Sequence, residues 1–234
     1  TNLRGSAGLP IPGTEVKIVD LETRQELPNG KKGLVLLRGP QLMQGYYKNP
    51  EATQKAIDGE GWFNSGDLGW LTPRQDIVLT GRAKDTIVLT NGENIEPLPI
   101  EDACLRSAFI DQIMLVGQDK KSIGALIVPN VEALQKWCEE QNLELCVKED
   151  NVTSSSSQKI NLESKMIQDL FRQELTREVR NRPGYRPDDR IGPFQLILES
   201  FSMENGMMTR TLKVRRHVVM ERYHDMIERM FAAN

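Results

Sequence analysis

Leu162, Met166, Ile167, Leu170, Phe171, Leu175 and Val179 recur at steps of three and four, and no other feature of the chain restricts its fold so tightly. That spacing draws one apolar stripe along a long helix, and the stripe has to be buried against another layer. Arg182–Gly184 (RPG) stops the helix, because proline cannot continue it and glycine accepts the left-handed exit.

The first third has a different period. Thr14–Asp20 (TEVKIVD) alternates apolar and polar residues, and Gly33–Arg38 (GLVLLR) is a short apolar run, so both read as strands. Leu27–Gly30 (LPNG) is a turn between them, since Asn-Gly tolerates positive φ. Asp76–Thr80 and Thr86–Thr90 are two more strands, with Gly81–Asp85 (GRAKD) spaced as a hairpin bend. After Thr90 the chain alternates: a helix over Pro99–Phe109, strands Gln112–Gly117 and Ile123–Val128 paired through a turn, and a helix over Val131–Gln141. The polar bridge Asn151–Gln158 (NVTSSSSQ) reads as a mobile surface loop. A strand at Phe194–Leu198 and one final helix, with Val219, Tyr223, Met226, Ile227 and Met230 on one face, complete the pattern. The fold class is α+β, with a boundary between a β-rich segment, 1–81, and a small α+β segment, 82–234.

Charge and cysteine usage exclude several classes. Thirty basic and thirty-three acidic residues give net −3 over 234 residues, against a nucleic-acid coat or a polybasic membrane arm. No apolar run approaches the ~20 residues of a membrane-spanning helix. Cys104, Cys138 and Cys146 form no CxxC pair and read as free thiols in a reducing compartment. His217 and His224, seven apart on the last helix, share a face but not a metal-binding step. The nine methionines read as core filler. A start at Thr1 without Met, and without a signal peptide, suggests a piece of something longer.

Three stretches are hard to explain as structure. Gly61–Asp67 (GWFNSGD) sets a carboxylate on a tight turn where glycine lets a ligand approach, and Asp67 could accept from both hydroxyls of a ribose. Taken alone, the segment is better explained by an Asx residue satisfying its own turn. Arg82 in GRAKD is a five-donor fork suited to phosphate or ribose oxygens, and Asn91-Gly92 permits a backbone excursion, though an exposed hairpin accounts for both equally well. Lys213, in the polar loop before the last helix, could reach a developing negative charge as a mobile cation. Equally, Lys213, Arg215 and Arg216 could be the solvated first turn of that helix, at a mild cost from the helix dipole.

In this order, these stretches resemble the adenylate-forming, acyl-activating enzymes. Gly39–Thr53 (GPQLMQGYYKNPEAT) resembles the family's RGP…GYY…NPEAT stretch. Gly61–Asp67 is similar to its GWF–T-GD motif, with Asn64-Ser65 in place of the commoner pair. Gly81–Asp85, Gly92–Pro97 (GENIEP) and Ile100-Glu101 resemble the GR-K-D…GENI-P…IE block, and Thr209–Arg216 (TRTLKVRR) the terminal T-T-K–R motif. Four ordered matches are far more specific than one. The chain is most similar to long-chain fatty acyl-CoA synthetases, and its Ser-rich bridge and TLKVRR ending look nearest the cyanobacterial and plastid branch that loads acyl carrier protein.

The resemblance implies two steps. A fatty acid carboxylate attacks the α-phosphate of ATP to give an acyl-adenylate and pyrophosphate. A phosphopantetheine thiol, of coenzyme A or acyl carrier protein, then displaces AMP. It further implies that Asp67 and Arg82 bind the ribose and that Lys213 bridges carboxylate and phosphate oxygens. Lys84 would be the hinge of a mobile C-terminal cap. Gly92, Glu93 and Asn94 would line the pantetheine channel.

The sequence holds no Ser/Thr/Gly-rich phosphate loop ending in Lys and no aromatic-Gly-x-Thr-Glu segment for adenine and Mg²⁺. The expectation is therefore the end of the large N-terminal domain (1–81) plus the whole cap (82–234), with the metal ligand elsewhere and no adenylation by this chain unaided. Strands of 1–80 lacking neighbours would be exposed edges. The expected compartment is cytoplasmic or plastid stroma-like, with peripheral membrane association a property of the longer enzyme. A rival reading is a non-catalytic module that docks an acidic carrier protein through Lys213–Arg216. Nucleic acid is not an expected partner.

Overall fold

The computed structural model describes residues 5–146 and 158–232. The chain forms two compact units, Thr1–Thr86 and Ile87–Asn234. Among the described residues, the first holds an antiparallel sheet of β1 (Glu15–Val19), β2 (Gly33–Arg38), β3 (Phe63–Leu71) and β4 (Ile77–Arg82), in that order across the sheet. Helix α1 (Pro50–Ala56) starts where Asn49 Oδ1 accepts from the Ala52 N–H at 3.0 Å, with Pro50 at its first position. Alternation along β1 and β2 places Ile18 and Val35 in one small core with Leu71, and Val19, Leu34 and Leu36 in another with Trp62.

The second unit begins with the short pair β5 (Ile87–Val88) and β6 (Asn94–Ile95), then α2 (Pro97–Cys104). Its central sheet is β7 (Ile110–Val116), β8 (Gly124–Pro129) and β11 (Phe194–Leu196), in the order β11-β8-β7. Around it stand α3 (Val131–Glu140), the parallel pair β9 (Leu143–Leu145) and β10 (Gln158–Ile160), α4 (Lys165–Arg180), α5 (Arg216–Arg222) and α6 (His224–Ala232). Strand β8 and the Ile113–Val116 half of β7 are continuously buried because both their faces are covered. Ile113, Leu115, Ala125 and Ile127 join the α4 stripe of Ile167, Phe171, Leu175 and Val179. Met114, Val116, Leu126 and Val128 pack with Val219, Ile227 and Met230 of the last two helices. This α+β architecture is the fold class expected from the sequence.

Three local expectations are overturned. First, Asp76–Thr80 and Thr86–Thr90 do not form a hairpin. β4 continues through Gly81 and Arg82 and pairs with the nine-residue β3, whereas Ile87–Val88 pair with Asn94–Ile95. The longer ladder with β3 buries Leu68 and Leu71, which pairing with β5 would not. Second, Gly66-Asp67 is not a tight turn but lies inside β3. Third, the last helix is two helices that break at Tyr223 (φ −105, ψ 17). The break lets Arg222 and Tyr223 reach one carboxylate: Arg222 Nε and Nη2 stand 2.9 and 2.7 Å from the Glu199 oxygens, and Tyr223 Oη donates to Glu199 Oε2 at 3.0 Å. In an unbroken helix these neighbours would diverge by about 100°. His217 and His224 therefore sit on different helices. The helix expected at Pro99–Phe109 starts at Pro97 and ends by Cys104. Asn151–Ser157 of the polar bridge lie outside the described residues.

Candidate functional site

The Asp67 carboxylate owes its position to a bulge. Leu34 pairs with Leu68 and Leu36 with Asn64, so Ser65, Gly66 and Asp67 together oppose Val35. Side chains replace the lost ladder bonds. Ser65 Oγ donates to the Val35 carbonyl at 2.8 Å and accepts from the Asp67 N–H at 3.0 Å, and Asn64 Oδ1 accepts from the Gly66 N–H at 2.9 Å. Gly66 has φ +72, which explains the glycine. Asn64 and Ser65, the two departures from the family pattern, thus both support the bulge.

Across the β3–β4 ladder Asp67 faces Arg82, with Nε 3.0 Å from Oδ1, and Arg82 Nη2 also donates to the Ser65 carbonyl at 3.3 Å. Among the described residues nothing hydrogen-bonds Asp67 Oδ2. Arg82 lines a concavity of ≈ 250 Å³ together with Arg24, Asn64, Gly66 and Lys84 and the apolar Leu21, Leu34 and Ala83. A carboxylate with one oxygen steadied by a guanidinium and the other open can accept from a diol, and the remaining guanidinium donors suit an anion. Lys84 is exposed on the 3₁₀ turn Ala83–Asp85, just before the first unit ends at Thr86.

The other sequence-derived candidates lie in the second unit. Gly92 closes the β5–β6 turn: its N–H donates to the Leu89 carbonyl at 2.9 Å, and the Leu89 N–H donates to the Glu93 carbonyl at 3.0 Å. A Cβ on Gly92 would meet nothing within 4 Å, but φ is +84, so the turn's backbone requires the glycine here. Glu93 and Asn94 are exposed and face Arg186, whose Nη2 donates to the Asn94 carbonyl at 3.0 Å. Lys213 is exposed at the end of a tight turn. Met208 bridges Val214, the Thr209 N–H donates to the Lys213 carbonyl at 2.8 Å, and the Lys213 N–H donates to Thr209 Oγ1 at 3.1 Å. Its ammonium makes no hydrogen bond or ion pair among the described residues.

Arg216 does not belong to a solvated cluster. Its Nη1 stands 2.7 Å from Glu101 Oε1, and its Nη2 donates to the Leu115 carbonyl. Glu101 Oε1 also accepts from the Leu115 N–H at 2.7 Å. Leu115 is on β7, an outer strand of its sheet, so the ion pair satisfies the backbone groups that β8 does not reach. With Arg216 spent this way, the proposed carrier-docking cluster reduces to Lys213 and Arg215. Sequence reasoning missed the Glu101–Arg216 pair; its one trace is that both positions fall inside motif blocks.

Among the described residues no group of three or more His, Cys, Asp or Glu could hold a metal ion, and no helix is long and apolar enough to cross a membrane. Burial and the nearby Glu101 charge push the Cys104 thiol up to about 12, and burial beside Glu139 raises that of Cys138. Cys146 is only half-buried. Ellman's reagent at pH 8 is expected to titrate one thiol rapidly in the native chain and all three after denaturation. Rapid modification of Cys104 in the native state would contradict this burial.

Comparison with known proteins adds a second line of observation. Residues 1–47 match the family described as AMP-binding enzyme, and residues 84–179 match the AMP-binding enzyme C-terminal domain. The chain is 42% identical over 240 residues to the Arabidopsis thaliana protein called probable acyl-activating enzyme 16, chloroplastic, covering 98% of this chain and 31% of that protein. It is 41% identical to the long-chain-fatty-acid–[acyl-carrier-protein] ligase AEE15, chloroplastic, of the same plant, over 99% of this chain and 30% of the relative. Human long-chain-fatty-acid–CoA ligase 6 is 27% identical, over 97% of this chain and 31% of its own length. The chain thus spans roughly three-tenths of the length of these relatives. Its fold is similar to part of the A domain of the carboxylic acid reductase from Segniliparus rugosus, solved with AMP and a co-purified carboxylic acid. That likeness has TM-score 0.76 at 22% identity, covering 95% of this chain and 32% of that one.

Proposed function

Because the chain belongs to the AMP-binding, acyl-activating enzymes, we propose that it supplies the ribose grip, the hinge and the cap of an ATP-dependent ligase that converts a long-chain fatty acid into a thioester. The observation that carries this reading is the Asp67–Arg82 pair, held 3.0 Å apart by a side-chain-supported bulge, with Arg82 also lining a concavity. In it, Asp67 accepts from the ribose hydroxyls and Arg82 donates to ribose or phosphate oxygens. Lys84 is the pivot about which the cap, beginning at residue 82, swings between half-reactions. Lys213 neutralises charge on the reacting carboxylate and α-phosphate oxygens, and Gly92, Glu93 and Asn94 border the thiol's approach.

ATP brings magnesium, but the described residues offer no ligand set for it, so no step here is assigned to the metal. The 234 residues also contain no Gly-bearing Ser/Thr-rich loop ending in Lys, since the run at 153–159 (TSSSSQK) has no glycine. Grip on the phosphates therefore falls to residues outside them, and this polypeptide alone does not adenylate.

For the acceptor, we favour the phosphopantetheine thiol of acyl carrier protein over that of coenzyme A, in a reducing compartment such as the plastid stroma. The 41% identity to a carrier-protein ligase against 27% to a coenzyme A ligase supports this, and so do the chloroplastic names of both plant relatives.

The test is a chimera in which this chain replaces the matching segment of the chloroplastic carrier-protein ligase. It is expected to ligate long-chain fatty acids to carrier protein in preference to coenzyme A. Asp67→Asn in that chimera is expected to raise the KM for ATP by roughly 10- to 100-fold, the worth of one or two charge-assisted hydrogen bonds, leaving the KM for fatty acid unchanged. An unchanged KM for ATP would remove Asp67 from the site.

A further inference from the structure

Two loops of the second unit carry the residues assigned to the two half-reactions, and each has only a minimal pairing of its own. The turn before α5 closes through one bridge, Met208 to Val214, and keeps Leu212 at φ +56, a left-handed conformation that a leucine resists. The β5–β6 turn rests on a ladder of two residues per strand and keeps Gly92 at φ +84. Loops of this kind persist where the surroundings over-determine them, and each has an arginine anchor in reach.

The first anchor is Arg216, three residues after Lys213. Its guanidinium spans Glu101 Oε1, at 2.7 Å, and the Leu115 carbonyl, which fixes the C-terminal end of the turn to α2 and β7. Arg215 Nη1 closes the other end on the Gly206 carbonyl at 3.1 Å.

The second anchor is Arg186. Its Nη2 donates to the Asn94 carbonyl at 3.0 Å and to Asp189 Oδ1 at 3.1 Å, and its Nη1 stands 3.4 Å from Glu93 Oε2. Asp189 is 1% exposed and also takes Arg182, so this anchor is itself seated in a buried pair. Asn91 Nδ2 adds a bond to Asp188 Oδ1 at 3.1 Å. The two networks share no residue.

We propose that Arg216 and Arg186 are positioning residues, each dedicated to one half-reaction: Arg216 holds the Lys213 turn for adenylation, and Arg186 holds the Gly92–Asn94 turn for thioester formation. The assignment rests on the ligase reading above, and what it adds is that the two functions of the cap are mechanically separable. Neither arginine needs to touch substrate, because misplacing a reacting group by about 1 Å can cost ~100-fold in rate.

Amide hydrogen exchange on this chain gives a readout independent of activity. Arg216→Lys, which keeps the charge but loses the fork, is expected to speed exchange at Thr209 and Lys213 and leave Leu89 and Gly92 unchanged. Arg186→Gln, at a half-exposed position, is expected to do the reverse. In the chimera, Arg216→Lys should slow fatty-acid-dependent ATP–pyrophosphate exchange about 10- to 100-fold, with thioester formation from supplied acyl-adenylate held within about twofold. Arg186→Gln should invert that pattern, and Arg186→Lys should recover part of the loss. Either variant loosening both turns, or depressing both half-reactions alike, overturns the proposal. A chimera in which Lys213→Ala leaves pyrophosphate exchange intact overturns the underlying reading instead, and the assignment of Arg216 with it.

Discussion

Lys213→Ala in the chimera is expected to lower the rate of acyl-adenylate formation by about 10²- to 10³-fold, the loss usual when one preorganised donor to a developing charge is removed. The structure makes this a clean substitution. The Lys213 side chain is exposed and has no hydrogen bond or ion pair among the described residues, so thermal stability should be unchanged. The backbone of the turn does not depend on the side chain either, because the Lys213 N–H and carbonyl make its bonds to Thr209. ATP–pyrophosphate exchange measures the effect directly. A loss below about threefold would mean that the reacting oxygens are stabilised from elsewhere, and the catalytic assignment would fall.

Arg216→Met is expected to have the largest effect on stability, about 3–5 kcal/mol in denaturant unfolding of the second unit. The methionine leaves Glu101, itself only 8% exposed, as a buried carboxylate with a single remaining backbone donor. Adding Glu101→Leu should recover part of that loss, since a buried ion pair replaced by apolar side chains of similar volume is often tolerated. Recovery should be incomplete. The Leu115 N–H and carbonyl would both lose partners, at about 1–3 kcal/mol for each group left unsatisfied. A single substitution costing under about 1 kcal/mol would show that water reaches the pair and that it behaves as a surface contact.

Much of this architecture is legible in the sequence because it rests on local period. The stripe from Ile167 to Val179, the paired runs around Met114 and Leu126, and the alternation through Ile18 correspond to elements whose burial follows that period, whereas Leu162 falls before α4 and Met166 is exposed. The failures have a common physical origin in partner choice. Nothing local to Asp76–Thr90 says that β4 prefers β3 to β5, because the gain lies in burying Leu68 and Leu71, which lie upstream on another strand. The bulge at Ser65–Asp67 reads as a turn because glycine at positive φ serves both. The last helix reads as continuous because Val219, Tyr223, Ile227 and Met230 keep helical spacing across the break. The reason for the break, the shared Glu199 carboxylate, lies twenty-four residues before Tyr223. As for the site, residue types and order were readable, and the 3.0 Å Asp67–Arg82 contact was a natural consequence of two strands not foreseen as neighbours. Arg216 was misjudged for the same reason: a cation in a basic run looks solvated until Glu101 and Leu115 are brought to it.

The Glu101–Arg216 clasp on Leu115 also bears on how molecules of this protein behave together at high concentration. β7 is an outer strand of an apolar sheet, and an unclaimed N–H and carbonyl near its C-terminal end would invite a strand from a second molecule. Both groups are occupied by charged side chains of the same molecule. An intruding chain could register there only by prising apart the carboxylate and guanidinium and leaving each without its counterpart. The clasp thus works as a guard against runaway strand addition, and variants that release it should show self-association in light scattering before they lose helical signal.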